Sequence, residues 1–326
     1  MKSVFARALA AFFAMAAGAA AQTFPSRPVT IVVPYPAGGV TDGMARLIGE
    51  QMSKDLGQPV VIDNVGGGAG VIGVTKVHRA APDGYTLILG NLETNVTNSV
   101  SQQMSFDLVN GFDPVAMMPS YPYIVVSKND VPAKTLPELV EWLRKNQDKT
   151  FQGMVGAGSL QHLCGLRMQE RLGIKWNFVP YRGGAPAMQD MLAGQFDIMC
   201  TASGSFLPLI RAGQIRAYAV TAKARMEAAT EIPTVDEVGK DLEGFHVGVW
   251  NALWVTKGSP PEAIARLNAA TNKALADPAL RKRIIDMGLD MPPANLTTSA
   301  ALGAYQKAEA EVWLPIMRKA MADAPK

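Results

Sequence analysis

The chain has 326 residues, 48% of them hydrophobic, and a formal net charge of +3, which is enough apolar material for a large core and more chain than one ordinary domain uses. Without Lys2 and Arg7, which belong to the leader described next, the 31 basic residues become 29 against 28 acidic ones, a net of +1, and so small an excess gives no reason to bind nucleic acid or an anionic membrane. Cys164 and Cys200 have no cysteine or histidine cluster near them at ligand spacing, which excludes a metal site; they are either one disulfide in an oxidising compartment or two small buried side chains.

The amino terminus carries Lys2 and Arg7, an apolar stretch from Ala8 to Ala17, and Ala19-Ala20-Ala21 before Gln22. That is the pattern of a secretory signal over residues 1–21, cleaved after Ala21. No cysteine follows it to take a lipid, and no later apolar run is long enough to cross a bilayer. The mature chain is therefore expected to be exported.

Val29 to Pro34 reads as a buried strand, Gly38 and Gly39 as a turn, and the following stretch as a helix to about Leu56 with Met44, Leu47, Ile48 and Met52 on one face. Thr41 or Asp42 is the expected N-cap. A helix start behind a glycine turn leaves unpaired N–H groups that hold a small anion by backbone alone. A strand at Val60 to Asp63, a helix through about Arg79 and a strand at Tyr85 to Leu89 continue the alternation, which predicts a parallel sheet covered by helices. The run Gly66 to Gly73 contains a literal G-x-G-x-x-G. A dinucleotide site is not expected, because an exported protein meets little nicotinamide cofactor and only Glu93 is loosely placed as the acidic partner. Gly90 to Asn98 is a polar segment, with Asn91, Glu93 and Thr94, at the carboxyl end of a strand, where open α/β sheets place ligands.

Farther on, Tyr123 to Ser127 reads as a strand, and Thr135 with Glu138 as a capping box for a helix that turns Leu136, Leu139, Val140 and Leu143 inward. Phe151 to Val155 leads into Gly156-Ala-Gly158-Ser159, with Ser159 as N-cap of a helix ending near Gly173, a repeat of the opening strand, glycine turn and helix. Asn177 to Pro180, a helix through Leu192, and strands at Phe196 to Cys200 and Tyr218 to Thr221 follow. Gly248 to Val255 is a further strand. Ser259-Pro-Pro-Glu262 is read as a capping box, Asp277-Pro278 as the next helix start, and about Thr298 to Met321 as a last helix.

Catalytic chemistry finds little support. No G-x-S-x-G occurs, and His78, His162 and His246 are the only imidazoles. Ser159 and His162 share a helix face, yet a capping serine commits its oxygen to the backbone. Met188 and Met191 are core residues at helical spacing.

Pro34-Tyr35-x-x-Gly38-Gly39-x-Thr41-Asp42 resembles the first ligand loop of the tripartite tricarboxylate transporter substrate-binding, Bug-type, family. So do Asp83-Gly-Tyr-Thr-Leu, Gly156-Ala-Gly-Ser159-x-x-His162-Leu163, Val179-Pro-Tyr-Arg-Gly-Gly-Ala-Pro-Ala187, the run Ala212 to Thr221, Ile232-Pro-Thr-Val235 and Trp250-x-x-Leu-Trp254. The resemblance spans nearly the whole mature chain. It implies an α/β, two-lobed periplasmic binding protein fold (type II-like), each lobe a mostly parallel sheet flanked by helices, with the ligand in the interlobe cleft. Lobe 1 would comprise residues 22–124 with 250–326, and lobe 2 residues 125–249. The implied ligand site is Tyr35, Gly38, Gly39, Thr41, Asp42, Asn91, Glu93, Thr94, Gly158, Ser159, His162, Tyr181, Thr201 and Trp250, with Tyr35, Tyr181 and Trp250 as apolar walls. Two positions depart from the family. Glu93 stands where small or hydroxyl residues are common, and is either a selectivity element or a solvated loop carboxylate; Thr201 replaces a frequent acidic residue. Trp250 and Trp254 either border the cleft or fill the hinge. The implied function is a monomeric receptor, without cofactor or metal, that captures a small organic carboxylate, aliphatic or aromatic, and delivers it to membrane permease subunits. An exported α/β enzyme and a ligand sensor for a signalling partner are the alternatives.

Overall fold

The structure, a computed structural model, describes residues 24–102, 104–156, 159–181 and 184–322. The leader with its cleavage site, and Gly158, lie outside the described residues. The chain runs through β1 (Val29–Val33), α1 (Val40–Leu56), β2 (Val60–Asn64), α2 (Val71–His78) and β3 (Thr86–Asn91), then a single π turn at Glu93–Thr97 into α3 (Asn98–Ser101) and the long β4 (Phe112–Lys128). It continues with α4 (Leu136–Asn146), β5 (Phe151–Met154), α5 (Leu160–Leu172), β6 (Asn177–Pro180), α6 (Gly184–Leu192), β7 (Ile198–Ala202), α7 (Ser203–Arg211), β8 (Ile215–Val220) and α8 (Val235–Val238). Last come β9 (Gly248–Thr256), α9 (Pro261–Ala276), α10 (Pro278–Asp286) and α11 (Ser299–Ala322).

Apolar runs such as Val29–Val33 are covered on both faces, as parallel strands between helices are. The strand order is β2-β1-β3-β9-β4-β7-β5-β6, with β8 also on β4. In the first lobe β1, β2 and β3 are parallel and β9 is reversed. In the second, β5, β6 and β7 are parallel, and β7 and β8 both oppose β4. The two-lobed α/β fold expected from the sequence is therefore what the chain adopts.

β4 belongs to both sheets. Residues Phe112 to Pro122 pair with β9, and from Tyr123 onward the strand pairs with β7 and β8. Only Tyr123 to Ser127 is legible as strand because Pro114, Pro119 and Pro122 interrupt the earlier part, and proline cannot donate to a ladder. The register with β9 shifts between Pro114 and Ala116 and again between Met118 and Tyr121, so irregular pairing accommodates them.

Local signals are followed in part. Asp277 caps α10 through Leu280 N–H (2.8 Å). Thr135 caps α4 through Glu138 N–H, while the Glu138 carboxylate reaches Lys134 N–H, one residue before the cap. The box expected at Ser259 is absent: its buried hydroxyl donates to the Thr256 carbonyl (2.8 Å), and α9 starts at Pro261 without a side-chain cap. Cys164 on α5 and Cys200 on β7 form a disulfide, both fully buried. α11 packs back on the first lobe, where Gln306 accepts from Trp254 Nε1 (3.0 Å) and donates to the Asn95 carbonyl (3.2 Å).

Candidate functional site

After β1 the chain turns through Gly38, whose φ of +88° suits glycine, and α1 begins behind Gly39. Gly39 is the N-cap, with φ −79° and ψ 170°, and no side chain caps the helix. The expectation of Thr41 or Asp42 as cap is thus corrected, since both lie inside the first turn. Asp42 reaches back instead: its Oδ2 accepts from Gly38 N–H (2.9 Å) and from Arg46 Nε (3.1 Å), which locks the turn from within the helix. Burial pushes the Asp42 carboxyl up, but Arg46, the Gly38 N–H and Asn64 together hold it below its ordinary value.

The segment after β3 is helical and buried rather than a polar loop. Asn91 and Thr94 close on each other, Thr94 N–H donating to Asn91 Oδ1 (3.0 Å) and Asn91 N–H to Thr94 Oγ1 (2.9 Å), while Asn91 Nδ2 donates to the Tyr35 hydroxyl (2.8 Å). The glycine run before α2 supports this wall, because a Cβ on Gly70 would strike Thr94 Cγ2 at 2.7 Å and one on Gly73 would press Pro34 at 3.0 Å. These glycines allow close packing here. Glu93 is half-buried, which disfavours the solvated loop carboxylate, one of its two expected readings, and burial pushes its carboxyl above the ordinary value.

These walls meet the second lobe around a cavity of about 690 Å³. Tyr35, Gly38, Gly39, Thr41, Asn91, Glu93 and Ser159 line it among the expected residues. Ser159 caps α5, its Oγ accepting from His162 N–H (3.3 Å), so the hydroxyl serves the helix start. Residues at the starts of several helices line the space: Gly39, Val40 and Thr41 of α1, Ser159 and Gln161 of α5, Gly184 of α6, and Ala202 and Gly204 of α7. No lysine or arginine stands among the described lining residues. Unpaired helix N–H groups are therefore what this cavity offers an anion.

Other expected residues lie elsewhere. Asp42 and Thr94 stand behind the wall. His162 is packed edge to face on Phe178 (4.7 Å between ring centroids), with its pKa lowered by burial. The Tyr181 hydroxyl donates to Asp190 Oδ2 (2.9 Å), and Thr201 is buried in β7 opposite Ile124. Trp250 is not an apolar wall of the cavity. Side chains alternate along β9, and its indole faces a second cavity of about 310 Å³, donating to Glu309 Oε2 (3.0 Å).

Tyr121 and Tyr123, from the shared part of β4, line the main cavity, as do Met287, Gly288 and Leu289 after α10. None of these was in the expected set. The two tyrosines carry one weak signal, their i, i+2 spacing on one strand face. Burial pushes the Tyr121 phenol up to about 12, with the Thr41 hydroxyl opposing and the Glu93 charge reinforcing the shift; Tyr35 and Tyr123 are raised for the same first reason. The Gly288 turn approaches α7 so closely that a Cβ on it would lie 2.9 Å from Gly204 Cα, and Ser203 Oγ donates to its carbonyl (3.4 Å). Among the described residues no cluster of metal-ligating side chains occurs, and no helix is long and apolar enough to cross a membrane.

Residues 44–313 match the model of the tripartite tricarboxylate transporter family receptor. A UPF0065 protein of the TAR-I ttuE-ttuC' intergenic region of Agrobacterium vitis is 37% identical over 90% of this chain and 84% of its own length. MatC from Rhodopseudomonas palustris, solved with bound malate, superposes with a TM-score of 0.75 at 34% identity, covering 90% of this chain and all of its own. The periplasmic binding protein BugD gives 0.75 at 36% identity, over 91% of this chain and 98% of its own.

Proposed function

Because the chain belongs to the tripartite tricarboxylate transporter receptor family, we propose that it is exported, loses its leader after Ala21, captures a small organic carboxylate in the 690 Å³ cavity, and hands it unchanged to membrane permease subunits. The carrying observation is the convergence of helix first turns on a cavity whose described lining has no lysine or arginine. Each helix start supplies the equivalent of roughly half a positive charge together with unpaired N–H donors, so several of them aimed at one point stabilise one carboxylate. MatC, a relative of the same fold, has malate bound.

Closure follows from the connections. β4 and β9 cross between the lobes, and the irregular pairing between Met118 and Tyr121 lies where β4 changes partners. A bend there swings the α5 and α7 starts toward the α1 start, and a ligand that contacts both sides favours the closed arrangement by its differential affinity. The contact between the Gly288 turn and α7 completes the closed wall.

A thermal-shift and calorimetric screen of mono-, di- and tricarboxylates against sugars and simple amines tests this reading. One carboxylate class is expected to bind one per chain and to be recovered intact. Stabilisation by sugars or amines alone, or consumption of the ligand, overturns it.

A further inference from the structure

Glu93 is the one charged side chain among the described residues that line the cavity, and it makes no ion pair or hydrogen bond with any described residue. Leu92 and Thr94 on either side of it are buried, which fixes the backbone that carries it. Around it stand Tyr35, Tyr121 and Tyr123, whose phenols all sense its charge. The Tyr35 hydroxyl is held in place by Asn91. A half-buried carboxylate without a counter-charge is costly, and a second anion beside it costs more. A cation brought by the ligand reverses that balance, and tyrosine oxygens and ring faces both suit an ammonium group.

Resting on the carboxylate reading above, we infer that the ligand also carries a cationic amino group: its carboxylate lies at the helix starts and its ammonium at Glu93 among the three tyrosines. Glu93 then acts as a specificity residue that turns an anion-binding cleft into one for amino-carboxylates. A simple dicarboxylate places its second negative charge beside Glu93, and a hydroxy acid offers a neutral donor that leaves the Glu93 charge uncompensated.

The test is calorimetry on the mature full-length protein with sets matched in length: aspartate against succinate and malate, glutamate against glutarate, and 4-aminobutyrate against butyrate and 4-hydroxybutyrate. In at least one set the amino compound is expected to bind about ten-fold or more tighter than its partners. Glu93→Gln, which keeps the shape and removes the charge, should shrink that ratio by about ten-fold while leaving the amine-free partner as tight or tighter. The wild-type ratio decides the matter even if the variant folds poorly. Amine-free carboxylates that bind as well as or better than their amino partners overturn the inference and leave the carboxylate reading standing. An unchanged ratio in Glu93→Gln also overturns it. If no carboxylate binds, with or without an amino group, the underlying reading fails first.

Discussion

Two cavities flank the crossing strands, sharing Tyr121 and Val249; Glu309 and Asp290 line the smaller and Glu93 the larger, and burial pushes all three carboxyls above their ordinary pKa. In the smaller one, Glu309 of α11 accepts from the indoles of Trp250 (3.0 Å) and Trp313 (3.1 Å), and Arg167 of α5 stacks on Trp313 with its charge drawing the carboxyl back down. In the larger one, Glu93 has no such donors. The protein itself satisfies one acid and leaves the other to whatever enters the cleft. The difference separates a structural carboxylate from a recognition one: the first should affect stability when removed, the second binding. α5 touches both cavities, with Ser159 and Gln161 at the front and Arg167 at the rear.

The largest expected effect falls on both regions at once. The disulfide pins the first turns of α5 to β7 across a sequence separation of 36, so Cys164→Ser with Cys200→Ser should cost about 3–4 kcal/mol in urea unfolding. Ligand affinity should be kept, because neither cysteine reaches the cavity; a large loss of affinity with the fold intact would show that the front wall depends on this brace.

Next is Gly39→Leu. The extended Gly39 backbone tolerates a side chain, and a Cβ there meets only the Pro36 carbonyl at 3.8 Å. The apo melting point should hardly move, while the roughly 2.7 kcal/mol of stabilisation expected from ligand at about 100 times its Kd should vanish. Persistence of the full thermal shift would remove the α1 start from the site.

Glu309→Ala leaves two buried indole N–H groups without acceptors and should cost about 2 kcal/mol of stability with affinity unchanged. Equal stability to wild type would erase the contrast between the cavities. Asp290 sharpens it through pH. Burial raises its carboxyl to about 6, against the Glu227 backbone N–H and aided by the Glu227 charge. A raised folded-state pKa means that the ionised group penalises the fold above about pH 6 and ceases to below about pH 4. Asp290→Asn should therefore add about 1 kcal/mol at pH 8, after allowance for solvent screening, and almost nothing near pH 4, read from urea midpoints. The smallest effect is that of Glu93→Gln on the apo protein, within about 0.5 kcal/mol of wild type or slightly stabilising, because no protein partner is lost. A strong destabilisation would place Glu93 with Glu309 as a structural acid.

Much of the lobe architecture is legible along the chain, since the alternation of apolar strands and amphipathic helices is a local pattern. Ser159 and Asp277 as caps, Gly38 as a turn, and the inward face of α4 are each decided within a few residues. Less legible are features where a competing partner is distant or unforeseen. Asp42 is drawn to Gly38 and Arg46 instead of capping, and Ser259 is drawn to Thr256. Glu93 looked like a loop residue because the polar run that contains it folds as a buried π turn held by Asn91 and Thr94.

What the sequence by itself determined is the α/β alternation and the glycine turn into α1, which rest on contacts between near neighbours, while the two-lobed fold was implied by the family resemblance that the motif order carries. Only the tertiary structure decided that Tyr121 and Tyr123 face the cleft, that Trp250 faces away from it, and that the Gly288 turn meets Gly204. The physical reason is that a strand's exposed face depends on its register and bulges. A one-residue shift in the β4–β9 pairing turns every side chain to the opposite face, and no local pattern around Tyr121 or Trp250 states that register.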